Sequence, residues 1–290
     1  IYATADVYPK NYLKRYNVAM KTWQEFPQVN IDPVKYNVSG NTIACVVSND
    51  GIEFDSAVSI FKLPDYKLVN RINGEYHDIR LNSDGSRIAL IRWITSIENL
   101  EGSSFSSDCS LCLLSIQNVV GKNDSNRINK LITSNGVDWS PNSEKIAFVA
   151  LNDSVLTRYT NTYTTVRSEL MLTTDSAKVK NIIVYNIKTK DSKIIDAGSY
   201  PRWSPDGKKI YYIKHNYLYE YNYVSGNKRQ ILRMPETKNY SISPTGANLV
   251  LTVRTKVPLS YTSQLTVINL ETNKRFVLDP RAIYECGWSY

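Results

Sequence analysis

The residues best suited to chemistry fall at the starts of apolar segments. His77, Arg80, Asp138, Tyr200, Arg202, Lys238, Tyr240 and Tyr284 mix charge with tyrosine, a composition that suits gripping a peptide or an acidic ligand. A second set, Arg158, Tyr159, Tyr163 and Arg167, lies in a threonine-rich alternating run that reads as a hairpin. Catalytic machinery is not recognisable. The two histidines, His77 and His215, have no serine or cysteine partner in a known motif, and there is no G-x-S-x-G elbow. Neither a G-x-x-x-x-G-K-[ST] loop nor a G-x-G-x-x-G after a strand is present. The segment Asp50-Gly51-Ile52-Glu53-Phe54-Asp55 offers carboxylates but lacks the full D-x-[DN]-x-[DN]-G pattern, so it reads as a turn rather than a calcium loop. The expectation is a binding protein, not an enzyme, with no cofactor and no metal.

Cys109 and Cys112 form a C-x-x-C inside a strand-like run. Residues three apart in a strand point to opposite faces, which disfavours both a disulfide and a shared metal. With Cys45 and Cys286 they read as buried thiols, and the redox compartment is not legible. N-x-[ST] sequons begin at Asn37, Asn123, Asn152 and Asn239, as chance allows in a chain this rich in Asn, Ser and Thr. Hydrophobic residues make up 42% and charged residues 21%, a globular rather than disordered composition. The net charge of +8 is spread over turns and strand edges, without the basic, aromatic-interleaved stripe that nucleic-acid binding needs. No apolar run is long enough for a transmembrane helix. The chain begins at Ile1: either a leader was removed, which leaves room for a lipid anchor, or this is a piece of a longer protein. The oligomeric state is not legible.

These residues must be held by a repeated element. Trp203-Ser204-Pro205-Asp206-Gly207-Lys208-Lys209-Ile210 reads as a strand, a tight turn and a strand. Copies align on Gly40, Gly85, Ser143 and Gly246, with an apolar residue three places later, 39 to 64 residues apart. The position of Trp203 is then matched by Tyr36, Leu81, Trp139 and Ile242, and a truncated copy starts at Trp288-Ser289. Such a period with strand-rich contents is that of a propeller blade. The expected fold is all-β: a six-bladed β-propeller of four-stranded antiparallel blades in a single domain, 1–290. The expected blades are roughly 28–73, 76–133, 136–196, 199–234, 238–279, and 280–290 plus 1–27. In the last, N-terminal strands complete the C-terminal blade, which removes open edges and predicts adjacent termini. Insertions at 95–108 and 151–180 fall between the second and third strands of two successive blades, so both should emerge on one face.

The W-S-P-D-G-K-K-I run, followed by a strand such as Ile183-Val184-Tyr185-Asn186, resembles the TolB-like, WD-repeat-like β-propeller repeat. The fit is close at Trp203 to Ile210, good at Trp139 to Ile146, and weaker at the other copies. The extra N-terminal domain of TolB itself is not found in this sequence, so the resemblance is to the repeat rather than to that protein. It implies an extracytoplasmic location, periplasmic, secreted or at the cell surface, and no catalytic residues. The functional expectation is therefore a protein-interaction scaffold that takes a protein or peptide partner at the face carrying the insertions. Alternatives are a glycan-binding or lyase/hydrolase propeller acting at the channel mouth, or the accessory propeller of a longer peptidase.

Overall fold

The computed structural model describes residues 2–7, 10–17, 20–26, 33–48, 56–63, 65–74, 76, 78–96, 110–120, 131–133, 136–151, 180–234, 240–257, 260–279 and 283–287. The chain opens with β1 (Tyr2–Val7), β2 (Lys10–Asn17) and β3 (Thr22–Phe26). Blade 1 is β4 (Pro33–Ser39), β5 (Thr42–Ser48), β6 (Ser56–Lys62) and β7 (Lys67–Asn73). Blade 2 is β8 (Asp78–Leu81), β9 (Arg87–Ser96), β10 (Ser110–Asn118) and β11 (Leu131–Thr133). Blade 3 is β12 (Val137–Trp139), β13 (Lys145–Leu151), β14 (Lys180–Asn186) and β15 (Ser192–Ala197). Blade 4 is β16 (Ser199–Trp203), β17 (Lys209–Lys214), β18 (Tyr217–Asn222) and β19 (Lys228–Arg233). Blade 5 is β20 (Tyr240–Ile242), β21 (Asn248–Val257), β22 (Ser260–Asn269) and β23 (Arg275–Asp279), and β24 (Ile283–Gly287) follows. Every blade is a four-stranded antiparallel meander. Its strands are called A to D from the hub outward.

The expected count of six blades is corrected to five. Five sheets are each built from one contiguous stretch of chain, carry a described buried core, and have the positive-φ turn between strands A and B. That turn residue is Gly40, Gly85, Ser143, Gly207 or Gly246. The remaining sheet, β24-β1-β2-β3, is a composite of the two chain ends held by backbone pairing, with Tyr2 opposite Gly287. Its strand β24 lies against β4 of blade 1 and against β20, β21 and β22 of blade 5, so it joins the first blade to the last. It has no A–B turn, because its second strand comes from the other end of the chain. Trp288 and Ser289, read from sequence as a sixth copy of the turn, lie outside the described residues.

The A–B turn explains its own sequence. In blade 4 the Ser204 N–H donates to Lys209 O, and the Gly207 N–H donates to Ser204 O, both at 2.9 Å. The Ser204 hydroxyl donates to Asp206, whose Oδ1 also accepts the Lys208 N–H. Gly207 sits at φ 68°, where a Cβ is strained. Blades 2, 3 and 5 repeat the two backbone bonds. Blade 1 does not: Ser39 pairs directly with Thr42 across a two-residue hairpin that puts Gly40 first. The residue of blade 1 that pairs like Trp203 is therefore Val38, opposite Ile43, and not Tyr36.

Cores form between blades, as expected of sheets covered on both faces. Trp203 packs with Ala147, Val149 and Ile182 of blade 3 and with Ile210, Tyr212 and Tyr221 of its own blade. Between blades 1 and 2, Val58 and Ile60 meet Ile79, Ile88 and Leu90. Cys45 and Cys112 are buried among the apolar residues of blades 1 and 2. Cys109 lies outside the described residues, as does the side chain of Cys286.

Candidate functional site: the hub

Strand A lines the axis of the ring, and its period of two sends alternate side chains inward. Leu81, Trp139 and Trp203 wedge between blades. The residues just before them, with their equivalents in blades 1 and 5, are Asn37, Arg80, Asp138, Arg202 and Ser241. These five line a cavity of about 330 Å³. The cavity lies at the A–B turn end of the hub, because Pro141, Pro205 and Pro244 of those turns also wall it.

Arg202 is 6% exposed, and its guanidinium bridges three blades. Nε donates to Tyr240 O of blade 5 at 3.1 Å. Nη1 donates to Val137 O of blade 3 at 3.2 Å and to Pro201 O of its own strand at 2.9 Å. The guanidinium also lies over the Tyr240 ring, 5.7 Å from the centroid. Arg80 of blade 2 sends Nε to the same Val137 carbonyl, at 3.2 Å. Two cations thus converge on one backbone oxygen, and Asp138 is the neighbouring anion. Its Oδ2 accepts the Trp203 N–H at 2.8 Å. Burial pushes the Asp138 carboxyl above its ordinary range, with Arg202 and Arg80 opposing. Burial lowers the Arg202 guanidinium, and Arg80 adds to that, while Asp138 opposes. Arginine's ordinary pKa is so high that it stays charged regardless.

The opposite end of strand A is organised by tyrosines. The Tyr240 hydroxyl, fully buried, donates to Tyr200 O at 2.7 Å, and burial raises its phenol pKa. Tyr200 stands at φ 56°, a conformation that L-residues seldom adopt without being held. Beside it Gly136 is at φ 98°, and a Cβ there would come within 3.2 Å of the Tyr200 Cα.

Of the residues singled out from sequence, Arg80, Asp138 and Arg202 line the cavity at the A–B turn end, while Tyr200 and Tyr240 pair at the other end of strand A and are joined to them through Arg202 Nε on Tyr240 O. His77, Lys238, Arg158, Tyr159, Tyr163 and Arg167 lie outside the described residues, and Tyr284 is placed in β24 without its side chain. Asn37 and Ser241 were missed. Asn37 accepts the Leu81 N–H through Oδ1 at 2.7 Å, which ties its sequon to the hub rather than to the outer surface. The signal that finds both is the register: one residue before the interblade wedge. His215 sits in the two-residue B–C turn of blade 4, where it and Asn216 have φ of 49° and 63°. Among the described residues no three of His, Cys, Asp and Glu gather into a metal-sized cluster.

On the B–C face the blades differ in height. Blade 4 pairs strands B and C over Lys209–Lys214. In blade 5 the pairing continues to Val257 opposite Ser260, and in blade 2 to Ser96 opposite Ser110. Each hairpin runs four residues further than in blade 4, about 13 Å at strand rise. Blades 2 and 5 are separated by blades 3 and 4 on one side of the ring and by blade 1 and the composite sheet on the other. The blade-5 extension was not foreseen. The two insertions do fall between strands B and C, as read from sequence, but 97–109 and 152–179 lie outside the described residues.

Meandering four-stranded sheets around a polar, arginine-bearing hub define a β-propeller. No known family profile matches this sequence, and no curated protein does. Solved structures share the architecture. A putative TolB from Agrobacterium tumefaciens matches over 99% of this chain and 94% of its own, with a TM-score of 0.60 at 11% identity. TolB from Acinetobacter baumannii matches over 96% of this chain and 67% of its own, with a TM-score of 0.54 at 12% identity. An oligogalacturonate lyase solved with manganese matches over 92% and 69%, with a TM-score of 0.51 at 13% identity. At such identities the likeness is one of fold, the β-propeller that these TolB and lyase structures share.

Proposed function

We propose that this protein is a non-enzymatic interaction scaffold that grips a protein partner at the B–C face of the propeller, outside the cytoplasm. The observation that carries the reading is the pair of extended strand B–strand C pairings, β9–β10 and β21–β22, in blades separated by two positions around the ring. Hairpins and loops that extend from a rigid scaffold are where binding tends to sit. Beyond Val253 and Gln264 the blade-5 arm runs as a two-stranded ribbon whose outer edges have no strand partner among the described residues. Such edges suit an extended partner segment, which gains main-chain hydrogen bonds by lying alongside. Arg254 and Lys256 and the absence of acidic residues across 254–263 favour a partner segment bearing carboxylates. The extracytoplasmic placement rests on the TolB-like resemblance.

The test replaces 254–263 with the two-residue turn His215-Asn216 of blade 4, which leaves the blade itself paired. Chemical cross-linking in native extracts then compares the shortened protein with the full one. A partner held by the full protein and lost from the shortened one supports that face. The same partners at the same yield would rule that face out.

A further inference from the structure

The cavity at the other end of the hub has its own chemistry, independent of the hairpin face. Arg80 uses only Nε, on Val137 O, and Arg202 uses Nε and Nη1. Nη1 and Nη2 of Arg80 and Nη2 of Arg202 therefore donate to no described group. Both side chains line the cavity. Their shared acceptor holds the two guanidiniums against each other, and a second positive charge in a poorly hydrated site is unfavourable without an anion. Asp138 offsets part of this charge and Asp78 also acts on Arg202, but neither carboxylate is hydrogen-bonded to a guanidinium among the described residues, and Asp138 Oδ2 is turned to the Trp203 N–H. The guanidinium N–H groups without a partner among the described residues thus lie beside the apolar walls of Pro141, Pro205 and Pro244.

We propose that the Arg80–Arg202 cavity is a binding site for a carboxylate carried on a short hydrocarbon body. A carboxylate accepts from guanidinium forks in paired, charge-assisted hydrogen bonds. The 330 Å³ of space, at the small end of ligand pockets, accommodates a molecule of a few carbons or one acidic side chain. The proline walls cover the methylenes while the oxygens meet Arg80 and Arg202. Two sources supply this chemistry: a free small organic acid, or an acidic side chain of a peptide laid over the turn face.

The experiment is calorimetric titration of the full chain with glutarate, with glutaramide as the uncharged control and with the blocked peptide acetyl-Gly-Glu-Gly-amide. Arg80→Gln is the test variant. Val137 O keeps its bond from Arg202 in that variant, so the hub stays linked, and unchanged circular dichroism checks this. Arg202→Gln would instead remove the link between three blades. Glutarate should bind the wild type and glutaramide should not, and Arg80→Gln should weaken glutarate at least tenfold. A peptide that binds tenfold or more tightly than glutarate assigns the carboxylate to a partner's side chain. A peptide that binds no better assigns it to a free acid. No glutarate binding to the wild type, or equal binding to Arg80→Gln, would overturn the site.

Discussion

Gly85 and Gly207 occupy the same place in the same turn, with φ of 67° and 68°, and changing each to alanine separates backbone strain from blade packing. At both positions an alanine Cβ meets the following carbonyl, at about 1–2 kcal/mol. Their surroundings differ. A Cβ on Gly207 would find only Pro141 Cδ at 3.5 Å, an ordinary contact. A Cβ on Gly85 would fall 2.5 Å from Thr42 Oγ1, 2.8 Å from Thr42 Cβ and 3.1 Å from Ser39 O, all in blade 1. Thr42 cannot swing aside. It is fully buried, its β-branched side chain has few rotamers, and its hydroxyl accepts from Lys62 Nζ at 2.7 Å. The blades must part, and overpacking of this kind costs about 1–3 kcal/mol more.

For a chain of 290 residues the unfolding entropy is about 0.6 kcal/mol/K, so each kcal/mol lowers Tm by about 1.6 °C. Gly207→Ala should lose about 2–3 °C and Gly85→Ala about 3–8 °C. Gly246→Ala, with only Pro205 Cδ at 3.7 Å, should behave as Gly207→Ala does. Differential scanning calorimetry at one scan rate decides. A Gly85→Ala loss within 1 °C of the other two would refute the argument that blades 1 and 2 abut at this turn.

Trp203→Ala should destabilise by about 3–5 kcal/mol in denaturant unfolding, since it empties the layer between blades 3 and 4. Trp203→Phe should cost less than Trp139→Phe, because Trp203 Nε1 is buried without a partner whereas Trp139 Nε1 donates to Arg80 O at 3.0 Å. Burial acts to raise the Asp196 pKa, but hydrogen bonds from Tyr212, Lys214, Ala197 N–H and Lys228 outweigh it and hold the carboxyl at about 2. Its contribution is therefore full above the unfolded value near 3.8 and is lost as pH falls toward 2. Asp196→Asn should flatten that part of the stability–pH curve, and an unchanged slope would count against the network.

The turn residues were legible because a fixed φ or a forced turn leaves a mark in the residue type, as at Pro205 and Gly207. Where the geometry changed, the same marks misled. Gly40 looks like Gly207, yet it belongs to a shorter hairpin, so Tyr36 was aligned where Val38 stands. A second signature passed unnoticed. Asn186, Asn222 and Asn269 each end a third strand and accept two backbone N–H groups through Oδ1. Each is followed four residues later by a positive-φ residue, Lys190, Gly226 or Asn273. Asparagine is common enough in this chain that such spacing does not stand out. The raised arm of β21–β22 was hidden for another reason. Arg254-Thr255-Lys256 is polar on both faces, as a ribbon standing clear of the sheet should be, and this reads as loop.

The hub shows why function in this fold sits where the repeats disagree. Turns and interblade layers repeat because each blade must solve the same packing problem. The inward position cannot repeat an ionised residue freely, since a ring of like charges around one axis is self-repelling. Blades 1 to 5 place Asn37, Arg80, Asp138, Arg202 and Ser241 there. The three charged residues fall in consecutive blades with the carboxylate between the two cations, the order that minimises repulsion within the set. Asp138 offsets one of the two cations at this level, and Asp78 also acts on Arg202. Part of the positive charge holds Val137 and Tyr240 of neighbouring strands, and the guanidinium donors not used in that bracing face the cavity. The same arginines therefore brace the ring and give its axis a preference for anions. Neither property could be built from a residue that all five blades share.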